Sequence, residues 1–109
     1  MTDDEIVNAV ASFQCPLLER AFAGGSTREL YVDLDLIQRL KLRSERSENT
    51  VFVVRLHRGD IRVYDTMGEW VVSVDPNRNG GVCDAILNEM RFHLRVLRDE
   101  RRLDLGVEL

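Results

Sequence analysis

The stretch TVFVVRLHRGDIRVYDTMGEWVVSVD, residues 50–75, decides the fold. It holds three runs rich in β-branched and aromatic residues: TVFVVRLH, DIRVYD and EWVVSVD. In the first, Phe52, Val54 and Leu56 alternate with their neighbours and share one face of a strand. The links between the runs are the short segments Arg58-Gly59 and Thr66-Met67-Gly68. Links that short join only antiparallel neighbours, so residues 50–75 are expected to form a three-stranded meander.

The first link spells Arg58-Gly59-Asp60, a tripeptide known as an adhesion signal. An adhesion role requires export and an exposed loop tip. Glycine at this point supplies the positive φ that a tight hairpin demands, so the tripeptide reads as turn chemistry.

Working toward the N-terminus, residues 29–43 alternate as a strand would. Leu30, Val32, Leu34, Leu36, Leu40 and Leu42 share one parity, while Tyr31, Asp33, Asp35, Lys41 and Arg43 take the other. Ile37 breaks the pattern. Two readings fit: one long, bent edge strand, or a strand to Asp33 followed by a short helix over 34–42, the second being preferred. Before this, Thr2 and Glu5 frame a capping box, and Ile6, Val7, Val10 and Phe13 follow at helical spacing. Pro16 requires the helix to kink or restart, and Leu17, Leu18, Ala21 and Phe22 continue an apolar face up to Gly24-Gly25.

Toward the C-terminus, PNRNGG (residues 76–81) reads as a loop, and residues 82–102 carry the clearest helical pattern in the chain. Cys83, Ile86, Leu87, Met90, Leu94 and Leu97 form its apolar stripe. Asp84 and Glu89 lie early and the arginines late, the order the helix dipole favours. Residues 103–109 read as a last short strand or a loose tail. The expectation is a single α+β domain over residues 1–109. Its antiparallel meander sheet would have three to four strands, packed by an N-terminal and a C-terminal helix.

Composition narrows function. With 44% hydrophobic and 31% charged residues the 109-residue chain is a globular domain with one core. A net charge of −4 and a pI near 5.1 give no global attraction to nucleic acid or anionic lipid. Lys41 is the only lysine among 15 cationic side chains. That bias suits bidentate contacts to carboxylate or phosphate, and is also what a GC-rich, prokaryotic or phage-like genome would encode. The opening MTDDEIVNAV is acidic where an export signal carries basic charge, and no apolar run is membrane-length. A cytoplasmic protein with no membrane association and reduced cysteines is expected.

Candidate chemistry is sparse. Cys15, His57, Cys83 and His93 match no zinc spacing and approach one another only if the fold brings them together. Asp33, Asp35, Asp60, Asp65, Glu69 and Asp75 fall at turns and strand ends, where acids serve caps and turns. Asn77 to Gly81 could hold an anion ahead of the helix but lack the spacing of a phosphate loop. No catalytic residue, metal site or cofactor is assigned, and the chain is read as non-enzymatic.

Two binding functions remain. The first is a protein–protein interaction module, acting as an adaptor, chaperone or inhibitor and self-associating as a homodimer. It rests on the residue types that dominate interfaces, here Tyr31, Arg62, Tyr64 and Trp70. The alternative places Trp70 in the core. The second function is nucleic-acid binding through Arg91, Arg95, Arg98 and Arg102, which recur along one face of the last helix. Ion pairs within that helix, such as Arg95 with Asp99, would make the same face an ordinary solvated one.

Overall fold

The meander forms as its sequence dictates. The structure is a computed structural model that describes residues 2–23, 29–74 and 82–99. In chain order the elements are α1 (Asp3–Ala11), α2 (Cys15–Ala23), β1 (Glu29–Leu34), β2 (Leu40–Arg43), β3 (Thr50–His57), β4 (Asp60–Asp65), β5 (Trp70–Val74) and α3 (Val82–Asp99). Strands β3 to β5 pair antiparallel in sequence order, with His57 opposite Asp60 and Arg55 opposite Arg62. Arg58 and Gly59 both take positive φ, 50° and 89°. This double left-handed turn matches the twist of the strands it joins and fixes their register.

The sheet has five strands in the order β2-β1-β3-β4-β5, not three or four. The added strand comes from residues 34–42, which are neither a short helix nor one continuous strand. They form a hairpin: β1 ends at Leu34, the chain turns over Asp35 to Arg39, and β2 returns with Leu34 opposite Leu40. Asp35 Oδ1 accepts the backbone N–H groups of Ile37 and Arg39 at 3.0 and 2.9 Å, which holds the turn. From β2 the chain passes to the far edge of β1 to begin β3. Asp33 anchors this link, accepting the hydroxyls of Ser47 at 2.7 Å and Thr50 at 2.8 Å.

Two β-bulges decide which side chains face the core. Val32 pairs with Phe52 but Asp33 with Thr50, so Val51 has no partner on β1. Val63 pairs with Val72 but Tyr64 with Trp70, so Val71 is likewise extra. Each bulge lets an additional valine turn inward: Val51 and Phe52 both join the core, and Val71 and Val72 both pack against it. The consecutive apolar pairs Val51-Phe52 and Val71-Val72 thus both serve the core face.

That face is covered by the helices. Ile6, Ala9 and Val10 of α1, Leu18 and Phe22 of α2, and Ile86, Met90 and Leu94 of α3 share one buried cluster with Leu30, Val32, Phe52, Val54, Ile61 and Val63. Fully burying a side chain such as Phe52 or Leu94 contributes about 1.5–3 kcal/mol. The capping box forms as expected, Thr2 N–H donating to Glu5 and Glu5 N–H to Thr2 Oγ1. The N-terminal helix restarts rather than kinks: α1 stops at Ala11, and Pro16 sits in the first turn of α2, where its missing N–H costs nothing. The expected Gly24-Gly25 terminator, the 76–81 loop and the 103–109 tail lie outside the described residues.

Candidate functional site

Strand alternation places a second set of side chains on the face of the sheet away from the helices. Register aligns them in rows. Tyr31 of β1 is opposite Arg43 of β2 and Val53 of β3, Val53 is opposite Tyr64 of β4, and Tyr64 is opposite Trp70 of β5. A second row runs Glu29, Arg55, Arg62 and Ser73. All four residues proposed from sequence as an interface, Tyr31, Arg62, Tyr64 and Trp70, therefore share one face; Arg62, Tyr64 and Trp70 adjoin one another, and Val53 stands between Tyr31 and Tyr64.

Trp70 does not fill the core. It is 65% exposed, because the bulge beside it turns Val71 and Val72 inward and leaves the indole outward. Val53 is the converse case. It is only 4% exposed yet stands outside the helix-covered cluster, so the flanking side chains on its own face shield it.

The cations of this face are set in distinct ways. Arg55 Nε donates to Glu29 at 2.6 Å and its guanidinium lies 5.1 Å from the centre of the Tyr64 ring. Arg43 approaches Asp33 at 3.5 Å, and Lys41 approaches Asp35 at 3.2 Å. Arg62 lies over Trp70, 5.9 Å from the ring centre, and its buried Nε has no hydrogen-bond acceptor among the described residues. The Tyr31 hydroxyl donates to Glu29. That bond, with the one from Arg55, holds the Glu29 carboxyl below its usual range, and it pushes the Tyr31 phenol up.

Sequence reading missed Arg55, Val53 and Glu29. The signal was present in the two-residue turn at Arg58-Gly59. Once that turn fixes Arg55 opposite Arg62, Arg55 and Val53 fall on the parity of Arg62 and Tyr64.

The arginine face of α3 is engaged differently from expectation. Arg95 Nε lies 3.5 Å from Asp3 and makes no ion pair with Asp99. Arg98 bonds Asp3 at 2.9 Å and also Asp99. Two of the proposed phosphate-binding cations thus tie α3 to the start of α1. Arg91 is half-buried, and Arg102 lies outside the described residues.

Of the residues weighed for catalysis, the structure brings His93 to Asp65. His93 Nε2 stands 3.3 Å from Asp65 Oδ2, close enough for an ionic contact but off the line of a hydrogen bond, and its ring tilts against Phe52 at 5.7 Å. His57 is exposed at the β3–β4 hairpin. The side chains of Cys15 and Cys83 lie outside the description. Among the described residues no three His, Cys, Asp or Glu side chains gather as metal ligands, and no helix is long and apolar enough to cross a membrane. A groove of about 410 Å³ runs between the α1–α2 corner and β2, lined among the described residues by Ser12, Gln14, Leu17, Arg39, Leu40, Lys41 and Leu42.

No protein-family model matches the chain, and neither a curated protein sequence nor a solved structure matches it.

Proposed function

We propose that this chain is a non-catalytic protein-binding module whose docking surface is the sheet face away from the helices. One observation carries the reading. The strip Tyr31, Val53, Tyr64 and Trp70, edged by Arg55 and Arg62, crosses strands β1, β3, β4 and β5 on a face where Trp70 remains exposed. Aromatic and arginine side chains in one contiguous patch have the composition of interface hot spots. An exposed tryptophan braced by a cation is more costly to leave in water than to cover with a partner.

Self-association belongs to the same reading and has its own surface. Of the two edge strands, β2 carries Lys41 and Arg43, whereas β5, Trp-Val-Val-Ser-Val, carries no charge. An uncharged edge lacks the usual guard against pairing with a second copy. Sedimentation of the wild type and of Ser73→Lys measures this, the variant being expected to shift dimer toward monomer.

Nucleic-acid binding through α3 is the second reading. It rests on Arg91, Arg95 and Arg98, and the ion pairs that Arg95 and Arg98 make with Asp3 count against it.

The deciding experiment captures partners on the wild-type chain and on a Tyr31→Ser/Trp70→Ser variant that melts at the wild-type temperature. A stoichiometric protein that survives nuclease and is lost on the variant supports the face. Equal capture by both overturns it. Partners removed by nuclease, and by changing Arg91, Arg95 and Arg98 to Glu, favour the second reading.

A further inference from the structure

We propose that the sheet face away from the helices binds an acidic peptide segment, with Arg62 receiving an aspartate or glutamate carboxylate and the Tyr64–Trp70 strip receiving the apolar side chains beside it. This rests on the protein-binding reading above and names the partner's chemistry.

The argument begins with an imbalance in one row. Glu29, Arg55, Arg62 and Ser73 stand side by side across four strands, and the two arginines are directly opposite each other. Like charges opposite one another across strands are destabilising. Glu29 compensates Arg55 at 2.6 Å and makes no ion pair with Arg62 among the described residues. Lys41 and Arg43 have Asp35 and Asp33. Arg62 is left with a cation–π contact to Trp70 and a buried Nε that lacks an acceptor among the described residues. Asp60, two residues along the same strand, makes no ion pair with it among the described residues. An incoming carboxylate satisfies the donor and offsets the repulsion at once, and a planar guanidinium receives it bidentately. Stacking on Trp70 holds the guanidinium before the ligand arrives, so little side-chain freedom is lost on binding.

The same geometry selects among anions. The guanidinium groups of Arg62 and Arg55 already lie over the rings of Trp70 and Tyr64, where a nucleobase would have to stack. Glu29 and Asp33 already occupy Arg55 and Arg43, which leaves few cations on this face for the many charges of a phosphate backbone. Arg62, a cation with no carboxylate partner among the described residues and set beside an apolar strip, matches an isolated carboxylate between apolar side chains. A second copy docked face to face would bring another uncompensated Arg62, while its Glu29 and Asp33 are already bonded.

The test pans a random-heptapeptide display library on the full chain and measures the recovered peptides, fluorescently labelled, by anisotropy. Trp70 is the only tryptophan, so its own emission reports unlabelled peptides on the wild type. Enriched peptides are expected to share one Asp or Glu flanked by apolar residues. Replacing that acid by its amide, or Arg62 by Gln, is expected to weaken binding about tenfold or more, the effect of losing one charge-assisted bidentate contact. Arg62→Lys, which keeps the charge but loses Nε and the planar fork, is expected to fall between. Melting temperatures of the variants confirm that they fold. Peptides that bind Arg62→Gln as tightly as wild type but are lost on Trp70→Ser overturn the carboxylate assignment and leave the docking face standing. Peptides indifferent to both variants overturn both. A saturable oligothymidylate complex abolished by Arg62→Gln, or a dimer that dissociates with Tyr31→Ser and yields no enriched peptide, overturns the peptide in favour of nucleic acid or a second copy.

Discussion

The β1–β2 and β4–β5 turns are built on one plan with different residues. In the first, Asp35 N–H donates to the Arg39 carbonyl, Gln38 N–H to the Asp35 carbonyl, and Asp35 Oδ1 takes the N–H groups of Ile37 and Arg39. In the second, Asp65 N–H donates to the Glu69 carbonyl, Gly68 N–H to the Asp65 carbonyl, and Asp65 Oδ1 takes the N–H groups of Met67 and Glu69. The fourth residue of each is left-handed, Gln38 at φ 61° and Gly68 at φ 84°. The aspartate is thus the shared organiser, and glycine is favoured at the left-handed position but not required there.

The turns differ most in what surrounds the aspartate. Asp65 is nearly fully buried, and its Oδ2 faces His93 of α3. Asp35 is partly open and faces Lys41. Asp65→Ala should therefore be the most damaging single change in either turn, costing about 3 kcal/mol, since it strands two backbone N–H groups at a nearly fully buried site and leaves a hole facing His93. Asp65→Asn keeps an acceptor for the turn and should recover part of that loss in chemical denaturation. Equal losses for Asp65→Ala and Asp35→Ala would show that His93 and burial add nothing, and would dissolve the contrast.

Gly68→Ala comes next. A Cβ at Gly68 meets no atom within 4 Å, so the cost is conformational alone, about 1–2 kcal/mol for a left-handed alanine. Asp35→Ala should cost about 1 kcal/mol, the net worth of its exposed turn bonds. Partial burial raises the Asp35 carboxyl, but the Arg39 and Ile37 N–H groups and Lys41 outweigh it and hold the pKa below its usual 3.8. A lowered folded pKa means the turn's contribution is complete above pH about 3.8 and is lost as pH falls through the depressed value. Following the Asp35 carboxyl by NMR during acid titration should show a midpoint below 3.8, and Lys41→Met should move it upward.

These two turns also explain what the sequence disclosed. Thr66-Met67-Gly68 and Arg58-Gly59 carry glycine where the backbone is left-handed, so the meander over residues 50–75 was legible. Asp35 to Arg39 holds the same turn without a glycine, and an alternating pattern broken at Ile37 then looked helical. The binding face was half legible. Tyr31, Arg62, Tyr64 and Trp70 stood out by residue type, but the outward turn of Trp70 depends on the β4–β5 bulge, which leaves no mark in composition. The Arg95 and Arg98 contacts to Asp3 were hidden by separation, Arg98 lying 95 positions along the chain from Asp3.

The smallest change gives the sharpest comparison. If the two turns differ at their left-handed position only by residue type, Gln38→Gly should stabilise the protein. A left-handed non-glycine residue carries a backbone strain of about 1–2 kcal/mol, and the buried Gln38 amide has no partner for its nitrogen or oxygen among the described residues. Glycine removes both costs but adds freedom to the unfolded chain worth about 0.4–1 kcal/mol. The balance is a gain of about 1 kcal/mol, read as a higher denaturant midpoint with unchanged slope. A loss instead would mean that the Gln38 side chain supports the α1–α2 side of the sheet. The β1–β2 turn would then be held by its packing rather than by the aspartate plan it shares with the β4–β5 turn.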